Sequence, residues 1–228
     1  MLDFVVSQDK YKLTQEQNVF IAKKKLVENI YSGAKVEGVN ITFPETQAIV
    51  DGINVAKLSI DDILVIHNLK AGWKYTLDNI DSPMTLDFIC RINEDVSRNE
   101  SLDWGHLRSG MVGISGTDYV PSIPKKEEVM SDIDMIMNAD TCTTSKALEL
   151  YAYCCKSQLF WDGNRRTAFI AANKVLIAGG GGLLTIKDED IVEFNTILTE
   201  YYNDDANKST LLKFLYDKCI NAANFKSC

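Results

Sequence analysis

The sequence predicts a mainly α-helical domain that carries one short β-hairpin. Apolar residues recur at helical spacing along most of the 228-residue chain, and several of these stretches begin with helix N-capping signals. Residues that favour β-structure gather around a glycine-containing turn in one place only, at positions 111–120. With 46% apolar residues, a chain of this length has enough material for the core of one domain.

The first half of the chain predicts four helices, each marked by its starting residues. Thr14–Gln17 is a capping box that opens a helix continuing to Ile30. Thr42–Glu45 is a second capping box, and Pro44 lies early in the helix it opens. The next two helices have predicted starts at Ser59–Asp62 and Ser82–Pro83, and the first of them has a predicted end near Gly72.

The second half predicts the hairpin followed by five helices. Ser115–Asp118 is the turn of the hairpin, and two prolines follow it. Helical spacing then returns, and Gly179–Gly182 ends the third helix after the hairpin. The predicted helices span 126–138, 145–158 and 164–178, and two acidic helices begin near Asp188 and Ser209.

Charge and cysteine content exclude several classes of protein. The formal net charge of −8 argues against a nucleic-acid-binding surface. The apolar run Leu2–Val6 is too short for a signal peptide, and polar residues interrupt the stretch Phe169–Ala178, so we expect no membrane span. Six cysteines without a CxxC pair, and only His67 and His106 as histidines, make a zinc site unexpected. Free thiols in a reducing cytoplasm are the prediction.

The segment Phe160–Ile170 has the residue types of a site for a phosphorylated ligand. The first amides of a helix that starts near Asn164 have no internal partner and attract anions, and Gly163 allows close approach to them. Arg165 and Arg166 can bind phosphate oxygens, and Asp162 is a natural Mg²⁺ ligand beside them. The segment alone also fits an ordinary turn followed by a helix with solvated arginines.

The residues from Gln158 to Phe169 resemble the signature of the Fic/Doc family, H-x-F-x-D/E-G-N-G/K-R-x-x-R. The resemblance implies a Fic-fold helical bundle that transfers AMP from ATP to a hydroxyl of a target protein, with Mg²⁺ as cofactor. It also implies a flap that binds the target segment and a candidate inhibitory glutamate, Glu37. The flap residues that match are Val112, Gly113, Ile114, Ser115 and Gly116.

The resemblance implies one Fic-like domain over 1–228. Its N-terminal helices, at 1–58, include the segment like the inhibitory helix, and its core, at 59–228, carries the flap near 111–121 and the motif loop near 158–169. Its implied partners are a nucleotide and a target protein, without nucleic acid or membrane. The oligomeric state stays open, with a homo-oligomer as one option.

Three positions depart from the family signature. Gln158 replaces the histidine that accepts the proton of the incoming hydroxyl, and a glutamine amide has no useful basicity. Arg165 stands where the Fic branch has glycine and the Doc branch has lysine. Phe169 replaces the second arginine, so Glu37 is expected to lack its usual partner, and an ordinary helix-end glutamate is the alternative. Three functions follow: a weak AMP transferase, an inactive nucleotide-binding or protein-binding module, or a Doc-like phosphotransferase.

Overall fold

The computed structural model describes residues 4–222 and confirms the mainly α-helical fold class. Within these residues the chain forms ten α-helices and one two-stranded sheet. The helices are α1 (Gln15–Lys24), α2 (Leu26–Val36), α3 (Phe43–Val50), α4 (Ile60–Asp78), α5 (Leu86–Val96), α6 (Lys126–Asn138), α7 (Thr143–Ser157), α8 (Asn164–Ala178), α9 (Ile191–Asn203) and α10 (Lys208–Phe214). The strands are β1 (Leu183–Leu184) and β2 (Ile220–Asn221).

Helix α8 lies at the centre of the bundle. Nearly all of its residues are buried, and it packs against α7 and also against α1, α4 and α5. A helix that is covered on every side is expected to have few exposed polar positions, as this one does. Phe169 belongs to this core, where its ring meets the Trp73 ring edge-to-face at a centroid distance of 6.2 Å. The core therefore fixes the start of α8, where the motif loop ends.

Both predicted capping boxes are confirmed. The Thr14 hydroxyl accepts from the Gln17 amide while the Gln17 side chain accepts from the Thr14 amide, and Thr42 forms the same pair with Glu45. The single helix predicted from Thr14 to Ile30 is wrong, however. The backbone of Lys25, at φ −99° and ψ 17°, departs from helical geometry and separates α1 from α2.

The predicted helix end near Gly72 is also wrong, because α4 continues to Asp78. A Cβ atom on Gly72 would lie 2.7 Å from Cγ1 of Val96, so this glycine lets α4 and α5 approach closely inside a continuous helix. Helix α5 begins later than predicted, with Thr85 as its N-cap. The predictions for α6, α7 and α8 agree with the structure to within two residues.

The segment predicted as a hairpin, 111–120, forms a turn without paired strands. The amide of Thr117 donates to the carbonyl of Ile114, and Gly116 takes a φ of +81° at the tip. Half-buried and exposed residues alternate along its outgoing arm, as in extended chain. The paired strands lie elsewhere: β1 and β2 are antiparallel, with Leu183 opposite Asn221. We call the segment 111–121 the flap. The part before the turn, 111–114, is its outgoing arm, and the part after the turn, 117–121, is its returning arm.

The five cysteines within residues 4–222 are free thiols, as predicted, whereas Cys228 lies outside the described residues. The apolar run that begins at Leu2 also starts outside them. In the part of the chain that the structure describes, no helix combines the length and the apolar character needed to cross a bilayer.

Candidate functional site

The motif loop joins α7 to α8 through two residues with left-handed backbone. Gln158 ends α7 at φ 44° and ψ 62°, and Gly163 precedes α8 at φ 70° and ψ 13°. A Cβ atom on Gly163 would lie 2.1 Å from Oγ of the buried Ser97, so glycine is required here for space as well as for backbone freedom. Gly163 offers no side chain to cap α8, which leaves the first amides of that helix available to an anion.

We expect Gly163→Ala to lower the free energy of unfolding by roughly 2–4 kcal/mol, because the left-handed backbone and the contact with Ser97 both oppose a methyl group. Gly113→Ala is the matched control, since nothing lies within 4 Å of a Cβ atom there. Urea unfolding measures both variants. Equal losses in the two would contradict the role assigned to Gly163.

Side chains from neighbouring elements hold the loop in place. The carbonyl of Asp162 accepts from Nδ2 of Asn93 and from Oγ of Ser97, each at 3.0 Å. The side chain of Asn164 spans the turn, because its Oδ1 accepts from the Phe160 amide at 2.9 Å and its Nδ2 donates to the Phe160 carbonyl at 2.8 Å. Much of the hydrogen-bonding capacity of Asn164 is therefore used within the loop, and its binding of phosphate stays a prediction.

Arg166 is a buried arginine on the first turn of α8, with 3% of its surface exposed. Its Nη1 donates to the Val96 carbonyl at 2.6 Å and lies 2.9 Å from Oε1 of Glu100. Its other nitrogens lie 3.7 Å from Oδ2 of Asp162 and 3.8 Å from Oε2 of Glu37. Burial lowers the pKa of Arg166, but the surrounding carboxylates outweigh that effect and raise it above its ordinary value.

Glu37 ends α2 and faces both arginines of the motif. Its Oε1 lies 3.3 Å from Nε of Arg165, whose side chain is one-third exposed. Glu37 lacks the second family arginine as expected, because Phe169 points into the core, but it has other partners: Arg165 and Arg166 lie beside its carboxylate. Sequence reasoning missed this pairing because it assigned the partner by motif position alone.

A cleft of about 440 Å³ opens between the motif loop, the flap, the end of α2 and helix α9. It brings together most of the residues predicted from the sequence, including Glu37 and Gln158, whereas Arg166 lies beneath the surface and Gly116 at the flap tip. Cleft-lining residues from the motif and the flap are Gln158, Trp161, Asp162, Asn164, Arg165, Val112, Gly113, Ile114 and Ser115. Gly163 lies under the loop, buried against Ser97.

Helix α9 supplies a wall of the cleft that was not predicted. Asn195, Leu198, Thr199 and Tyr202 line it. The spacing of these residues, i, i+3, i+4 and i+7, places them on one helix face, and this signal was present in the sequence.

Four buried side-chain atoms around the cleft form no hydrogen bond within residues 4–222: Asn195 Oδ1, the Tyr202 hydroxyl, Arg166 Nε and Glu37 Oε1. The last two face oppositely charged groups as ion pairs. Burial raises the pKa of Tyr202 well above its ordinary value, so its hydroxyl stays protonated and can donate a hydrogen bond. Buried polar atoms in proteins are nearly always paired with protein groups, water or a ligand. Their position around one cleft suits a cleft that holds water or a polar ligand.

The side chain of Gln158 turns back onto its own helix, where Nε2 donates to the Cys155 carbonyl at 2.7 Å. His67 and His106 do not contribute to the cleft walls in the described part of the chain, and His106 instead lies beside Asp103 on the surface. A neutral amide cannot accept a proton at neutral pH. The cleft therefore has the polar groups of a binding site without the histidine of the family signature.

The fold is a helical bundle of the Fic type. Residues 83–176 match the Fic/DOC family model. The match contains the flap and nearly all of α8. No curated protein matches the sequence.

Solved structures resemble the chain beyond that segment. Fic-1 of C. elegans (residues 134–508) superposes with a TM-score of 0.70 at 20% identity over 86% of this chain, which spans 59% of that structure. A Fic-domain signaling protein of Bacteroides thetaiotaomicron gives a TM-score of 0.69 at 20% identity, covering 90% of this chain and 86% of the other. A variant of IbpA Fic2 in complex with adenylylated Cdc42 gives 0.52 at 18% identity, covering 90% and 75%. These likenesses show the Fic fold.

Proposed function

We propose that the protein binds ATP in the cleft beside the motif loop. The observation that supports this most strongly is that the cleft is lined by Arg165 and by the start of α8, whose first amides have no side-chain cap. The first amides of α8 and the guanidinium of Arg165 supply the positive groups that phosphates require, and Arg166 adds its charge from below.

The residues present also fit a Mg²⁺ ion bound with the nucleotide. The carboxylate of Asp162 is about half exposed beside the cleft, and Mg²⁺ in nucleotide sites commonly takes one or two carboxylates together with phosphate oxygens. Within the described residues, no cluster of three His, Cys, Asp or Glu side chains forms a complete metal cage. Asp162 would therefore hold the ion jointly with the phosphates, and the ion would neutralise their charge.

The proposed reaction is AMP transfer to a hydroxyl of a target protein, at a weak rate or not at all by the usual route. In that transfer the hydroxyl oxygen bonds to the α-phosphorus, pyrophosphate leaves and the hydroxyl proton passes to a base. The position of the family base is Gln158, whose amide cannot take the proton. An inactive module that binds nucleotide and a target protein is the alternative, and the engaged side chain of Gln158 favours it.

The flap is the proposed contact surface for the target protein, since Val112, Gly113, Ile114 and Ser115 line the cleft next to the motif loop and Gly116 forms the turn. A single Fic domain, with N-terminal helices at 1–58 and a core at 59–228, also stays a prediction. The same holds for a cytoplasmic location, for a homo-oligomer and for the absence of nucleic-acid and membrane partners.

Arg165→Ala tests the proposed binding of ATP. We expect ATP affinity to fall roughly 10- to 100-fold, because a hydrogen bond to a charged group contributes about 1.5–3 kcal/mol. Isothermal titration calorimetry with a non-hydrolysable ATP analogue and Mg²⁺ measures the change. Arg98→Ala removes the same charge from a half-exposed arginine outside the cleft and should leave affinity unchanged. Equal affinities of Arg165→Ala and the parent protein would contradict the proposal.

A Doc-like phosphotransferase is a second candidate, because Arg165 lines the cleft where the Doc branch has lysine. The position of the label distinguishes the two reactions. Target labelling from α-labelled ATP indicates AMP transfer, whereas labelling only from γ-labelled ATP indicates phosphotransfer.

A further inference from the structure

Arg108 is an arginine buried at the base of the flap, with 1% of its surface exposed. Every hydrogen bond of its guanidinium goes to a backbone carbonyl, as far as residues 4–222 show. A buried guanidinium is costly unless its donors are satisfied, and here five carbonyl oxygens satisfy them. The Arg108 side chain thus connects several backbone segments, and we call its guanidinium with these five carbonyl groups the hub.

The hub joins the two arms of the flap. Nη1 of Arg108 donates to the carbonyl of Gly110, just before the outgoing arm, at 2.6 Å. Nη2 donates to the carbonyl of Ser122 at 2.6 Å and to that of Pro121 at 3.3 Å, at the end of the returning arm. Between residues 109 and 124 the described backbone forms one hydrogen bond within itself, from Thr117 to Ile114. The arms are therefore held together by a side chain instead of a strand ladder.

The same guanidinium ties the flap to the motif loop. Its Nε donates to the Gln158 carbonyl at 2.5 Å, and Nη2 lies 3.5 Å from the carbonyl of Ser157 at the end of α7. The amide of Arg108 also donates to the Leu159 carbonyl at 3.0 Å. The carbonyl groups at the end of α7 have no partner inside that helix, so Arg108 satisfies a helix end and fixes the flap with one group.

Two further contacts hold the arms from outside the hub. A Cβ atom on Gly110 would lie 2.6 Å from Cη2 of Trp161, so the outgoing arm packs directly against the motif loop. Nζ of Lys156 lies 4.3 Å from the ring centroid of Tyr119 on the returning arm, within range of a cation–π interaction. Lys156 also donates to the carbonyl of Tyr202 on the cleft wall.

We infer that Arg108 is the positioning residue that holds both arms of the flap in a fixed shape beside the cleft. The surface offered to a target protein is thereby ordered before the target binds, which lowers the entropy lost on binding. The benefit of an ordered flap for target binding rests on the proposed function. The positioning of the flap by Arg108 does not rest on it.

Arg108→Met tests the inference, because it keeps an apolar stem of similar length and removes all five hydrogen bonds. Hydrogen exchange followed by mass spectrometry reports on the flap amides separately from those of α8. The amide at position 108, which donates to the Leu159 carbonyl, and the Thr117 amide, which donates to the Ile114 carbonyl, are the hydrogen-bonded amides here, and we expect their exchange to become at least about tenfold faster while the amides of central α8 stay unchanged. Arg98→Met, at an arginine away from the flap, should leave both regions unchanged.

Two additional readouts keep the test independent of overall stability. Arg108→Lys keeps the charge but cannot reach both arms at once, so it should restore the flap only in part. Gly110→Ala keeps the arginine but clashes with Trp161 and so displaces the Gly110 carbonyl, which accepts from Nη1 of Arg108, and it should raise exchange in the flap as well. This variant also serves if Arg108→Met fails to fold.

ATP affinity, measured in parallel, should stay within about twofold of the parent value in the control Arg98→Met, because that arginine does not line the cleft. If neither the parent protein nor any variant binds ATP, the proposed function is wrong, whereas the hydrogen-exchange result still tests the role of Arg108. Unchanged exchange of the amides at positions 108 and 117, or an equal rise in α8, would overturn the inference about Arg108.

Discussion

Replacing Gln158 with histidine should raise AMP transfer by about 10²–10⁴-fold over the parent protein, the range that general-base catalysis contributes. The backbone at this position already suits the change, because Gln158 has a φ of 44° and histidine is among the residues that tolerate left-handed backbone best. An imidazole that faces the cleft could accept the hydroxyl proton near neutral pH, which the amide cannot do. Transfer is measured as α-labelled phosphate incorporated into the proteins of a cell lysate.

Gln158→Asn is the matched control for this experiment. Asparagine keeps the amide, tolerates the same backbone and has no basic group, so transfer should stay at the parent level. If both variants bind ATP but neither transfers AMP detectably, the missing base is not the only defect. A parent protein as active as Gln158→His would contradict the assignment of an altered catalyst.

Much of the fold could be predicted because it depends on local signals. Capping boxes at Thr14 and Thr42 and the glycine run after α8 depend on residues within a few positions of each other. The errors arose where distant contacts decide the structure. Gly72 serves the close packing of α4 against Val96 and does not end the helix, and the arms of the flap are held by Arg108 instead of by each other. Such contacts leave no signal at short sequence spacing.

The same division applies to the candidate site. Spacing within the motif predicted the turn, the start of α8 and the neighbourhood of Asp162 and Arg165. The pairing of Glu37 with Arg165 joins residues far apart in the chain, and it depends on how α2 packs in the bundle. Residues on α9 could have been found from their helical spacing, but nothing local indicated that this face meets the motif loop.

Replacing Glu37 with glutamine should raise ATP affinity by about tenfold. In the structure the carboxylate lies 3.3 Å from Arg165 and 3.8 Å from Arg166, so a phosphate that binds these arginines must compete with it. Displacing one partly buried ion pair costs on the order of 1–2 kcal/mol, which corresponds to about tenfold in affinity. Calorimetric titration with an ATP analogue measures the gain, and this result would support the proposed inhibitory role of Glu37.

Glu28→Gln provides the control, since it removes the same charge from α2 at an exposed ion pair with Lys25, which does not line the cleft. Its ATP affinity should equal that of the parent protein. The free energy of unfolding of Glu37→Gln should fall by about 1–3 kcal/mol, because the buried Arg166 loses a neighbouring negative charge while Glu100 and Asp162 remain. If Glu37→Gln lowers the free energy of unfolding but does not raise ATP affinity, Glu37 only stabilises the end of α2. A carboxylate that competes with phosphate must affect both the stability and the ATP affinity.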